Sequence, residues 1–317
     1  ASVDPDYQRT YNLEYTAGIQ HEVLPRVSMA ATFYRRDFRD LGVTDNLLRT
    51  FADYRGVDVV SPLDGSVFTA YTASSTQVLR NVQDFDTNAS SDRQQTYNGF
   101  DVTFNARLPR GGTLFGGFTT ERTMRSICDE PDDPNNIRFC DDSDNGIPWQ
   151  KQFKFAGTYP LVWGIQASAS FQSLNGRALG GYSTARNRIA GPGYGDVGSP
   201  AGTGWLVTPT TRYAANCTGP CRPGELVIPG MTEASLTFPM VPGGTEFFDR
   251  INQLDFSLAK WFNIGSRRLQ LQADLFNALN VNPVLGVRSV NFGTAAYNQV
   301  NSILNPRIMR LGLQFKW

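Results

Sequence analysis

The side chains best equipped for chemistry in this chain are its four cysteines, Cys128, Cys140, Cys217 and Cys221. They fall in two close pairs, each in a polar, turn-rich stretch. Four cysteines allow three connectivities. The short loops that local pairing would close favour Cys128 with Cys140 and Cys217 with Cys221. A zinc site is the weaker reading: the sole histidine, His21, lies far away, and neither pair has the close spacing of a zinc knuckle. Cys217-Thr-Gly-Pro-Cys221 could be a redox pair, but it lacks the βαβ setting that such motifs use. Disulfides imply an oxidising compartment, such as the periplasm or the cell surface.

Carboxylates crowd around the first pair. Asp129, Glu130, Asp132, Asp133, Asp141, Asp142 and Asp144 bracket Cys140. Clustered oxygen ligands suit calcium, and Asp142-Ser143-Asp144-Asn145-Gly146 resembles the start of a calcium loop. Asp142 and Asp144 are therefore the candidate metal ligands, and calcium in these loops is the one cofactor considered. The downstream Glu of such a loop is missing, so a solvated loop clipped by a disulfide is the plainer reading. Catalysis has little support. With His21 beside a predicted turn and no second histidine, no Ser-His-Asp centre can be built elsewhere, and an enzyme is not expected. The fragment GPGYGDVG (191–198) has the glycines of a phosphate loop but no strand before it or helix after it.

The elements that must carry these groups are strands. Tyr11, Leu13, Tyr15, Ala17 and Ile19 alternate with Asn12, Glu14, Thr16, Gly18 and Gln20. Successive strand residues point to opposite faces, so each such segment has one apolar and one polar side. The same alternation recurs from Val27 to Tyr34, Phe100 to Leu108, Gln152 to Tyr159, Ile165 to Gln172, Leu254 to Ala259, Leu269 to Leu275 and Ile308 to Trp317, and more weakly over about 113–125. That makes nine strands. Short turns lie at Leu24–Arg26, Pro109–Gly112, Pro160–Gly164 and Asn263–Arg267. Excursions of about 40–93, 126–149, 175–250 and 281–304 separate the hairpins.

Short and long connections alternate throughout. Every short turn then lies at one end of the sheet and every long loop at the other, as in outer-membrane barrels with short periplasmic turns and long outer loops. No run of 18 apolar residues exists, so no transmembrane helix is expected. Lys plus Arg equals Asp plus Glu at 29 each, which leaves no overall field to attract nucleic acid. No signal peptide is visible at Ala1, so a mature, truncated or partial chain is expected. The fold class expected is all-β: an antiparallel transmembrane β-barrel in the bacterial outer membrane. Glu14, Arg36, Asp101, Lys154, Asp255, Asp274 and Arg310 would face its lumen. Trp163, Trp261, Phe262 and Trp317 would form an interfacial aromatic girdle. Bacterial barrels have even strand numbers. Either one strand is missing, with Val67 to Leu79 as its candidate, or the chain is part of a larger barrel; the second is expected.

Three segments carry a family resemblance: TYNLEYTAGIQHEVLPRVSMAATFYRRDF (10–38), RLQLQADLFNALNVNPVL (268–285) and NPRIMRLGLQFKW (305–317). With them, the stretch from Tyr7 to Trp317 resembles the C-terminal half of a TonB-dependent outer-membrane receptor. The type is Oar-like, with a carboxypeptidase-regulatory-like N-terminal domain. The resemblance implies that residues 1–317 form the C-terminal part of a 22-stranded barrel, with the plug domain outside this sequence. It implies partners as well: membrane lipid, upstream barrel and plug segments, the TonB energising complex and an unidentified extracellular ligand. It also implies that Trp317 marks the final strand for the outer-membrane assembly machinery. The function expected is transport of that ligand. The alternatives are a passive porin-like channel and a surface-exposed structural or adhesive protein.

Overall fold

The structure is a computed structural model that describes residues 2–80, 82–89, 93–129, 133–179, 203–217 and 220–317. Nine long strands form one antiparallel sheet: β1 (Tyr11–Leu24), β2 (Val27–Arg39), β3 (Gln94–Arg107), β4 (Thr113–Ser126), β5 (Gln150–Pro160), β6 (Ile165–Leu174), β7 (Ile251–Ile264), β8 (Arg267–Phe276) and β9 (Ile308–Lys316). Each pairs with its neighbour in the chain, from β1 at one edge to β9 at the other. The segment Val67–Ala73 is a strand too, but it pairs with Tyr54–Val60 in a separate hairpin and adds nothing to the large sheet.

The register sorts the side chains cleanly. Phe33 lies opposite Phe100, and Val102 opposite Phe118. Phe155 faces Phe171, Ala169 faces Phe256, and Leu271 faces Leu313. Residues directly opposite one another share a face, so these rows join into one apolar surface across all nine strands. Its members stay open to the surroundings: Ile19, Leu271, Leu311 and Leu313 are 71%, 44%, 75% and 69% exposed. That is the signature of a wall solvated by lipid hydrocarbon.

The other face is polar and internally bonded. The Arg36 guanidinium Nε donates to Glu14 Oε2 at 2.7 Å. Asp274 accepts from Ser257 at 2.6 Å, from Gln272 at 2.8 Å and from Arg310 Nε at 2.9 Å. Asp255 accepts from Gln253 and from the backbone of Asn277. Asp101 and Lys154 occupy the same face by register. One member of the expected aromatic girdle belongs here as well. Trp261 lies opposite Gln270 on the polar face, its ring 5.4 Å from Lys316 Nζ. The girdle reading fails for Trp261 because Trp261 and Phe262 are adjacent, and neighbours in a strand cannot share a face.

Four short turns close one end of the sheet. In two of them Arg26 (φ 71°) and Gly265 (φ 63°) take the left-handed conformation that a tight hairpin requires. Four excursions leave the other end: 40–93, 127–149, 175–250 and 277–307. Every buried hydrophobic side chain among the described residues lies in these excursions, from Leu41 to Met240. The nine strands contribute none, because in lipid their apolar faces need no protein cover.

Candidate functional site

The excursions build one layer over the sheet's end. Val59 and Ala70 from the first pack with Trp205, Val207, Val227, Ile228, Met231, Phe238 and Met240 from the third, and Phe292 of the fourth packs against them. Backbone pairing helps to hold the partners. Gly204–Val207 pairs antiparallel with Leu236–Pro239 and runs parallel to Asn291 and Phe292. Buried Glu233 of the third excursion accepts hydrogen bonds from Thr72 Oγ1 and the Ala73 backbone of the first. Arg55 of the first donates to the Pro229 carbonyl at 2.6 Å.

The second excursion is stapled to this layer from the side. Cys128 and Cys140 form a disulfide across it. Asp133 caps the short helix Pro134–Phe139 by accepting from the Asn135 backbone. Arg138, on that helix, lays its guanidinium 3.9 Å from the Phe68 ring centroid and 4.9 Å from that of Phe139. Its Nη1 donates to the Pro239 carbonyl at 3.1 Å. Beside it, hydrogen bonds from Ser61 and Ser66 hold the Asp64 carboxyl down to about 2, with a smaller contribution from the Arg138 charge. Burial works against the Arg138 charge and lowers its pKa, and Asp64 opposes that shift.

These groups frame a cleft of about 210 Å³. Phe68, Thr69 and Tyr71 come from the first excursion; Pro134, Asn135, Ile137 and Arg138 from the second; Phe238 and Pro239 from the third. Aromatic and proline walls with one guanidinium suit a small ligand with an apolar body and an acceptor group. The lining residues include no nucleophile with an adjacent base.

A family model for the outer membrane beta barrel domain matches residues 1–310. The chain belongs to that family. The barrel domain therefore resides in the outer membrane, its apolar face against lipid. Among solved structures, the outer membrane transporter YddB from Escherichia coli is similar, with a TM-score of 0.43 and 13% identity. The match covers 97% of this chain and 33% of that one, so the barrel domain spans about a third of that transporter's length. No curated protein matches the chain.

Several residues singled out in the sequence have structural roles in this barrel domain. Cys217 bonds to Cys221, and both pairs join locally. Asp142 is almost fully buried, and its Oδ2 accepts from the Arg125 backbone at 2.9 Å and from Arg125 Nε at 3.3 Å. It thereby ties the second excursion down onto β4. Asp144 is exposed. Asp129 pairs with Arg93 at 2.8 Å, and Asp141 accepts from the Ser143 backbone. Among the described residues no three His, Cys, Asp or Glu side chains converge as a metal site would need. Glu130, Asp132 and the GPGYGDVG segment lie outside the described residues. His21 sits opposite Met29 on the lipid-facing side, near the short turns. Trp317 is 93% exposed, immediately beyond β9. The cleft residues gave no signal in sequence. Phe68 and Arg138 are 70 positions apart, and no local pattern links an aromatic in one loop to a guanidinium in another.

Proposed function

We propose that this barrel domain is the C-terminal portion of a TonB-dependent receptor of the Oar-like type. In this reading the outer layer captures a small ligand, and a plug encoded upstream gates its passage along the polar lumen. One observation carries it: all four excursions contribute to one layer, and three of them frame the Arg138 cleft. A passive pore needs no such layer, since its selectivity comes from the charges that line its lumen. The resemblance of residues 10–38, 268–285 and 305–317 to that receptor family points the same way. Closure also needs further strands. Among the described residues, β1 and β9 each have one neighbour in the sheet, and lipid does not tolerate an open edge.

The test uses the full-length gene product, purified in detergent. The receptor reading expects it to bind the isolated periplasmic domain of TonB and to show no steady conductance in planar bilayers. Steady ohmic conductance without TonB binding would establish a passive channel instead. Neither conductance nor TonB binding would leave the outer layer as an adhesive surface.

A further inference from the structure

The end of the sheet that carries the short turns has a charge of its own. Residues 21–29 and 107–113 hold Arg26, Arg107 and Arg110. Residues 260–271 and 313–317 add Lys260, Arg267, Arg268 and Lys316, and the turn at 159–167 holds no charge. The acid in these stretches is Glu22, whose Oε1 accepts from the Arg26 backbone N–H at 2.8 Å. The chain as a whole is balanced at 29 charges of each sign, so the matching acids stand toward the excursions.

The cations occupy every side of the wall. Lys260 lies opposite Leu271 and Arg267 opposite Ile264, on the lipid-facing side. Arg107 lies opposite Thr113 and Arg268 opposite Lys316, on the lumenal side. Arg26 (φ 71°) and Arg110 (φ 62°) are exposed at the turn tips. Among the described residues none of these side chains forms an ion pair. Aromatic rings lie beneath three of them: Lys260 is 5.0 Å from Phe262, Arg267 is 5.9 Å from Phe315, and Lys316 is 5.4 Å from Trp261. Like charges directly opposite one another destabilise a strand pair, so Arg268 and Lys316 carry a cost that a nearby anion would offset.

We infer that this rim, on the periplasmic side of the barrel, is a docking surface for the acidic face of a soluble protein. Charge complementarity gives the chemistry of the partner, and the placement of the cations gives its kind. Lipid phosphates would reach only Lys260 and Arg267. A segment inside the lumen would reach only Arg107, Arg268 and Lys316. A body lying beneath the rim meets these together with Arg26 and Arg110 at the tips. The short turns leave that body free access, because no loop at this end is long enough to fold over the cations. Exposed charges of one sign speed association with an oppositely charged partner and make it salt-dependent. A channel or an adhesive barrel would present the same rim as a receptor.

The test uses the full-length protein in phosphatidylcholine nanodiscs, with fluorescent polyglutamate as the soluble probe and anisotropy as the readout. The wild type should bind it, with affinity falling about tenfold or more from about 50 to about 500 mM salt. A rim quadruple, Arg26→Gln, Arg110→Gln, Arg268→Gln and Lys316→Gln, should lose about tenfold or more in affinity. A quadruple with the same charge change at the excursion end, Arg80→Gln, Arg222→Gln, Arg288→Gln and Arg307→Gln, should lose no more than about twofold. Heat-modifiable gel mobility reports whether each variant is folded. If the rim quadruple does not fold, Arg26→Gln and Arg110→Gln singly, at the exposed tips, should each weaken binding. No binding by the wild type, equal losses in both quadruples, or salt-independent binding would overturn the inference. So would a rim quadruple that keeps its affinity for polyglutamate but loses a preference for phosphatidylglycerol over phosphatidylcholine in detergent, which would assign the rim to lipid.

Discussion

Asn135 holds the backbone of Tyr71 with both ends of its amide. Its Oδ1 accepts from the Tyr71 N–H at 2.8 Å, and its Nδ2 donates to the Tyr71 carbonyl at 2.9 Å. One buried side chain of the second excursion thus occupies the hydrogen-bonding positions of a missing strand beside the first. Asn135→Ala would leave a buried donor and acceptor without partners, at about 2–3 kcal/mol. The expected outcome is faster amide exchange over 67–73 and 133–140, with the nine strands unchanged. Exchange mass spectrometry on the detergent-solubilised protein checks it.

The Cys128–Cys140 link closes a short loop across the same excursion. On a chain-entropy estimate such a link stabilises by about 3 kcal/mol. Cys128→Ser with Cys140→Ser should therefore make residues 127–149 protease-sensitive without releasing the strands from the membrane. Limited proteolysis of intact vesicles, with and without reductant for the wild type, measures this.

Leu271 and Leu313 face each other on the lipid side of β8 and β9. A charge near the bilayer midplane costs roughly 2–4 kcal/mol, so Leu313→Arg should lower folding stability in lipid vesicles by about that much. Gln314→Arg, one residue on and facing the lumen opposite Gln270, should cost little. Urea titration of the two variants in the same vesicles separates these outcomes. Equal costs would contradict the assignment of faces.

Two loop carboxylates carry opposite pH signatures. Burial raises Asp133 above the ordinary carboxylate value of 3.8, outweighing the hydrogen bonds from Asn135. Its contribution to the fold is fully present below that value and is lost as pH rises through its raised folded-state value. Asp64, held at about 2, contributes above 3.8 and loses that contribution as pH falls toward 2. Protection of amides 133–140, corrected for intrinsic exchange, should therefore decline as pH rises from 4, and Asp133→Asn should flatten the decline.

The strands were readable because lipid imposes a strict period. Leu269, Leu271, Ala273 and Leu275 could alternate with Gln270, Gln272 and Asp274 only if each face met one environment throughout. Nine strands and four short turns followed directly, and the local pairing of the cysteines followed from short loop closure. Trp261 misled because an aromatic at a strand end reads the same on either face; only its register partner, Gln270, decides the side. Asp142 shows another limit: a run of acids in sequence does not reveal the partner of any one of them, and here Arg125 takes up the carboxylate. The outer layer was not readable at all. Val59 shares one core cluster with Val207 and Phe238 across very long stretches of chain, and such packing leaves no periodic trace.

The placement of the hydrophobic core outside the sheet has a consequence for how such a molecule can diversify. The wall answers to the bilayer and needs only to stay greasy on one side, so its residues can drift individually. The excursions answer to one another: Trp205 shares its core with Val59, Glu233 needs Thr72, and Arg138 needs Phe68 and Pro239. A single excursion grafted from a relative would arrive without its partners. Recombination between relatives would have to carry 40–93, 127–149, 175–250 and 277–307 together, which makes the unit of inheritance for this surface the set of loops rather than any one of them.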